Sequence, residues 1–151
     1  QFSGRETGKV YFAVTHQVPA NESGTIQNQI GRHPVNRQKM TVLESPAGKE
    51  AITDYEVVHS DASGKWALVK CIIHTGRTHQ IRVHLKESLL CPILGDPIYG
   101  AKGKALVEVE RLMLHAAKLS FSHPVTAKRM TFEAALPEVF TGFLPEGERP
   151  G

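Results

Sequence analysis

The densest concentration of reactive side chains is the run His74-Thr75-Gly76-Arg77-Thr78-His79-Gln80-Ile81-Arg82-Val83-His84-Leu85. Six of its twelve residues carry nitrogen-bearing donors: three His, two Arg and one Gln. The run predicts a helix from about Thr75 to Leu90, with Thr75 as N-cap and Pro92 beyond its end. Ile81, Leu85 and Leu89 recur every four residues on one face. Arg77 then lies in the first turn, where the helix dipole makes a cation cost about a few tenths of a kcal/mol. A residue breaking a local rule in this way points to a compensating carboxylate or phosphate in its guanidinium fork. The plainer alternative is a solvated Arg on an exposed turn.

Other chemistries lose ground quickly. His74, His79 and His84 are five apart, which matches neither a helical zinc pair nor a zinc finger, and no CxxC pair occurs. No metal site is expected. Gly64-Lys65 and Gly103-Lys104 lack the spacing of a phosphate loop, and there is no GxSxG elbow. Cys71 and Cys91 are too few for a disulfide framework and read as packed thiols. The 18 Lys and Arg against 15 Asp and Glu leave a net charge of +3, which suits an anionic partner without requiring one. At 151 residues the chain is long enough for one core, and its composition excludes disorder and coiled coil. No apolar stretch reaches the roughly 18 to 20 residues of a membrane helix.

The elements that must position the run are mainly strands. Lys9 to Thr15 and Trp66 to Ile73 read as strands. Lys39 to Leu43 and Ala51 to Val58 flank the turn residues Ser45-Pro46-Ala47-Gly48 and predict a hairpin. Lys118 to Phe121 and Arg129 to Phe132 predict a second. A short helix is expected over Pro137 to Phe143, with Pro at its first turn. The expected fold is one α+β domain over residues 1–151, a mixed, largely antiparallel sheet with flanking helices.

Several blocks, in order, resemble the RluA-type RNA pseudouridine synthases. The run from His74 to Leu85 is similar to that family's central signature. Gly95-Asp96-Pro97-Ile98-Tyr99-Gly100, then Arg111-Leu112-Met113-Leu114-His115-Ala116, follow it. Lys9-Val10-Tyr11-Phe12-Ala13 resembles the K-x-Y-x-A strand, and Gly31-Arg32-His33-Pro34, Arg37-Gln38-Lys39-Met40 and Gly48 to Tyr55 fit the blocks between.

The resemblance implies isomerisation of a uridine flipped out of folded RNA, exchanging an N-glycosidic for a C-glycosidic bond with no metal or cofactor. It implies that Tyr11 stacks on the flipped base and helps remove the C5 proton, that Arg77 pairs with the catalytic aspartate, and that Leu114 walls the base, with core packing the alternative for Leu114. Arg32, His33, Arg37 and Lys39 form a basic loop cluster expected to contact the RNA backbone, together with His79 and Arg82. Asp96 reads as an Asx-type turn residue. The implied partner is ribosomal or transfer RNA, with ribosomal particles by extension, and no membrane; the implied location is cytoplasmic or organellar (mitochondrial), not secreted. The family's nucleophile sits in an R-L-D-x-x-T-S-G segment ahead of the K-x-Y strand, and Asp54, Asp61 and Asp96 lack that context. Since the chain opens on Gln1 and its first methionine is Met40, a longer natural chain is expected. This sequence then holds part of the catalytic domain, without an S4-like domain, and is an inactive piece by itself. A non-catalytic RNA-binding or ribosome-associated relative is the alternative.

Overall fold

Strands Lys9–His16 (β1) and Trp66–Ile73 (β5) are rich in β-branched and aromatic residues and are buried along most of both faces. They pair antiparallel along their full length, from Lys9 opposite Ile73 to His16 opposite Trp66. The remaining strands among the described residues are Ser23–Arg32 (β2), Met40–Val42 (β3), Lys49–Ser60 (β4) and Leu114–Ala117 (β6). They form one sheet in the order β3-β2-β4-β5-β1-β6, with every pairing antiparallel. The computed structural model describes residues 9–44, 46–100, 109, 111–117 and 138–143. The expected hairpin over Lys118 to Phe132 lies outside them.

The sheet curls strongly, and chain connectivity requires it. Leu94 donates its N–H to Val14 in β1, while the Tyr99 hydroxyl receives the Met40 N–H of β3. In a flat sheet those two anchor points would be on the order of 40 Å apart, across four strand spacings and about a dozen residues of register. The five-residue step from Leu94 to Tyr99 reaches only about 17 Å. The sheet must therefore bend toward the segment that ties its first strand to its fifth. Gly95 makes this close approach possible: its φ is 78°, and a Cβ there would sit 2.1 Å from the Arg111 carbonyl oxygen.

Two expectations need correcting. β3 and β4 do not form a hairpin, because β2 lies between them and pairs with both. β2 shows little alternation in sequence because its inward-facing positions are Ile26, Asn28 and Ile30, and the middle one is polar. The long helix is also shorter and later than expected. α1 spans only Gln80–Val83 and continues as a π-helical turn, His84–Ser88. Thr75 does not cap it; His79 occupies the N-cap position in the left-handed region with φ 56° and no side-chain cap. The C-terminal helix is a 3-10 helix, Glu138–Phe143.

Two residues past the π turn stands Leu90, a non-glycine residue with φ 59° that remains 75% exposed. A left-handed leucine costs about 1–2 kcal/mol and recovers nothing through burial here. Leu90→Gly should therefore raise the unfolding free energy by about 1 kcal/mol in urea titrations. A lower value would mean that the side chain makes a stabilising contact.

Candidate active site

Directly opposed residues in a sheet share a face. Lys9 is opposite Ile73, and Ile73 is opposite Thr53, so Tyr11, two positions on, lies on the same face as Thr53. That is the face carrying α1, since the Gln80 and His84 side chains both reach the Thr53 hydroxyl. Leu114 is opposite Ala13, which puts it on this face as well. Tyr11 is half-buried, and its hydroxyl has no hydrogen-bond partner among the described residues. Leu114 is half-buried against the same core.

α1 is fixed to the sheet by a buried polar chain. The Ile52 N–H is received by the Thr75 hydroxyl at 2.9 Å, which donates to Gln80 Oε1 at 2.8 Å. Gln80 Nε2 donates to the Ile52 carbonyl and to Thr53 Oγ1. His84 is fully buried, 2.8 Å from Thr53 through Nδ1 and 2.7 Å from Asn28 Oδ1 through Nε2. Because Asn28 Oδ1 can only accept, Nε2 carries the proton and Nδ1 accepts from Thr53. This accounts for the polar residue in the middle of β2.

Burial pushes the His84 imidazole down to about 4. Its folded value lies below the unfolded value near 6.5, so the unfolded chain binds the extra proton between them. Stability is then fully present above about pH 6.5 and falls as pH drops toward 4, by an amount on the order of 3 kcal/mol. Urea midpoints measured across that range should show the loss. In His84→Gln, less stable at neutral pH, the dependence should flatten; an equally steep profile would remove His84 as the cause.

A second polar group surrounds the buried Tyr99. Arg82 closes a two-bond fork on Asp96, 2.9 Å from Nε and 2.8 Å from Nη2, and its guanidinium lies 5.1 Å from the Tyr99 ring centroid. Asp96 Oδ1 also receives the Ile98 and Tyr99 N–H groups, as in the expected Asx turn. Burial alone would push this carboxyl up, but the Arg82 fork and the two amides outweigh it and hold Asp96 below the usual carboxylate range. Burial also raises the Tyr99 hydroxyl, which stays protonated. That hydroxyl accepts from Met40 N–H and lies 2.8 Å from His79 Nδ1. Burial, then Arg82 and Arg32, lower the His79 imidazole against the pull of Asp96. The Tyr99 proton therefore goes to a neutral His79, whose Nε2–H has no partner among the described residues.

The structure gathers the expected RNA-contacting residues around the β2–β3 loop. Lys39 Nζ lies 5.7 Å from the Tyr99 centroid, beside Arg82 and His79, and Arg32 Nη1 donates to the Arg37 carbonyl. His33 Nδ1 accepts the Val35 and Asn36 N–H groups. Arg82, expected to contact RNA, has Nε and Nη2 engaged on Asp96 and only Nη1 remaining. Arg77 precedes α1 instead of lying in its first turn, so the dipole argument does not hold for it. Its Nε donates to the Glu50 carbonyl at 2.6 Å, and both Nη groups have no partner among the described residues. No hydrogen bond or ring contact joins Arg77 to Tyr11. His74, His79 and His84 each turn to a different partner, Asp54, Tyr99 and Thr53. Sequence reasoning missed Thr53, Asn28 and Tyr99; the polar residue between Ile26 and Ile30 was the available signal.

A profile of the RNA pseudouridylate synthase family matches residues 1–87, which include the Tyr11 strand and the run from His74 to Leu85. The chain belongs to this family. Within the family it is of the RluA type. It is 43% identical over 154 residues to an uncharacterized RNA pseudouridine synthase of Chlorobaculum parvum, covering 91% of this chain and 46% of that protein. It is 39% identical over 155 residues to ribosomal large subunit pseudouridine synthase D of Pseudomonas aeruginosa, covering 95% and 47%. The solved structure of human RNA pseudouridylate synthase domain containing 1 superposes with a TM-score of 0.69 at 27% identity, covering 99% of this chain and 65% of that one. The chain thus spans about half the length of the curated relatives it matches. The curled antiparallel sheet with few helices agrees with the expected α+β fold.

Proposed function

We propose that the protein carrying this chain isomerises uridine to pseudouridine in ribosomal RNA, and that residues 1–151 supply part of its catalytic domain. The carrying observation is the family match across β1 and the run from His74 to Leu85, with Tyr11 half-buried on the face that bears α1 and its hydroxyl unclaimed among the described residues. In this reading Tyr11 stacks on the flipped base and helps take the C5 proton, and Leu114 walls the base. Arg77 offers its open Nη groups to the catalytic carboxylate. Arg32, His33, Arg37, Lys39, His79 and Arg82 form the RNA-facing rim. No metal or organic cofactor takes part.

The carboxylate comes from elsewhere in the longer protein. The chain has three aspartates and each is engaged: Asp54 with Thr25 and His74, Asp61 with Ser63, and Asp96 with Arg82. Those engagements also favour the second reading, an RNA-binding relative without turnover. One comparison separates the two. The whole protein and this chain alone are each incubated with a large-subunit ribosomal RNA transcript, and pseudouridine is counted. Turnover by the whole protein only is expected. Turnover by the chain alone would overturn the aspartate assignment, and salt-dependent binding without turnover by either would favour the second reading.

A further inference from the structure

The loop between β2 and β3 combines three properties. It is held rigid by its own side chains: His33 Nδ1 receives the Val35 and Asn36 N–H groups, Asn36 Oδ1 receives the Gln38 N–H, and Arg32 Nη1 donates to the Arg37 carbonyl. Backbone bonds close it at both ends, from His33 N–H to the Lys39 carbonyl and from Lys39 N–H to the Asn36 carbonyl. At its tip stands Val35, 84% exposed, more than any other large apolar residue among those described. Around that tip lie Arg32 and Arg37, both exposed, and Lys39.

An exposed valine on a flexible loop would need no explanation. This one is presented by at least six hydrogen bonds, so little conformational entropy remains to be lost when it docks. The ring of cations gives the occupant's charge. We infer that the β2–β3 loop is a preorganised wedge for folded RNA, in which Val35 packs against a base or ribose face while Arg37 and its neighbours hold the adjoining phosphates. His33 is a positioning residue in this device. Because Nδ1 accepts two N–H groups, its proton is on Nε2. The inference rests on the proposed RNA substrate and adds a non-electrostatic contact that the basic cluster alone does not supply.

The test compares Val35→Ser and Arg37→Gln in the whole protein, bound to a large-subunit ribosomal RNA transcript over a series of salt concentrations. Val35→Ser should weaken binding about tenfold and leave the salt slope unchanged, because it removes apolar contact only. Arg37→Gln should lower the slope by about one. Val35→Ser within twofold of wild type would overturn the wedge, even with Arg37→Gln behaving as expected. So would an effect seen with ribosomal particles and absent with naked RNA, which would assign Val35 to a protein partner. Pseudouridine counted in the same samples separates this claim from the parent reading. A wild type that makes none while Val35→Ser still weakens binding leaves the wedge standing without the synthase. Normal turnover with unchanged Val35→Ser affinity does the reverse, and a wild type that binds no RNA overturns both.

Discussion

In the protein that carries this chain, Tyr11→Phe should cut pseudouridine formation by roughly a hundredfold to ten-thousandfold, the range typical for losing a positioned acid or base. Its unfolding midpoint should stay close to wild type. The two outcomes follow from the same environment. The ring is half-buried against the core, so Phe keeps the packing and the stacking surface. The hydroxyl has no partner among the described residues, so removing it leaves no buried group unsatisfied. A structural tyrosine would give the opposite signature, with stability falling and turnover following only as folded protein is lost. Pseudouridine counts and thermal unfolding of the same preparation distinguish them. Near-normal turnover in Tyr11→Phe would remove this residue from the chemistry.

Arg82→Ala should be the most destabilising single change at the site, by about 3–5 kcal/mol. The Asp96 side chain is fully buried and Arg82 is 14% exposed, so losing the guanidinium leaves a carboxylate out of water without its counterion. Two amides still reach Asp96 Oδ1, but neither carries charge. Arg82→Lys should recover only part of the loss, since an ammonium cannot form the two-bond fork on Oδ1 and Oδ2. Pairing Arg82→Met with Asp96→Asn should recover more, because the buried charge is removed along with its partner. Urea unfolding of the three variants beside wild type gives the order. An Arg82→Ala loss under about 1 kcal/mol would mean that Asp96 is far better solvated than its packing implies.

What the sequence disclosed follows from which residues carried periodicity. β1 and β5 were legible because their apolar residues are dense and β-branched. β2 was not, since Asn28 stands at an inward position and its purpose, receiving His84 Nε2–H, appears only when α1 is set against the sheet. Without β2, pairing β3 with β4 was the natural reading of the turn residues between them.

Much of the run from His74 to Leu85 serves architecture. Thr75 and Gln80 fasten the turn to β4, His84 fastens α1 to β2, and Arg82 fastens it to Asp96. The helix start was misjudged because Thr75 resembles an N-cap while its hydroxyl is taken by Ile52 and Gln80. Arg77 was singled out on a dipole argument that fails and on the family resemblance, and its Nη groups have no partner among the described residues.

In the proposed function Tyr11 serves an RNA pseudouridine synthase whose carboxylate lies outside this chain. The most direct test is to count pseudouridine in a large-subunit ribosomal RNA transcript incubated with the whole protein, with its Tyr11→Phe variant and with this chain alone. Pseudouridine is expected with the whole protein and almost none with the other two. Pseudouridine from this chain alone, or none from the whole protein, would contradict that reading.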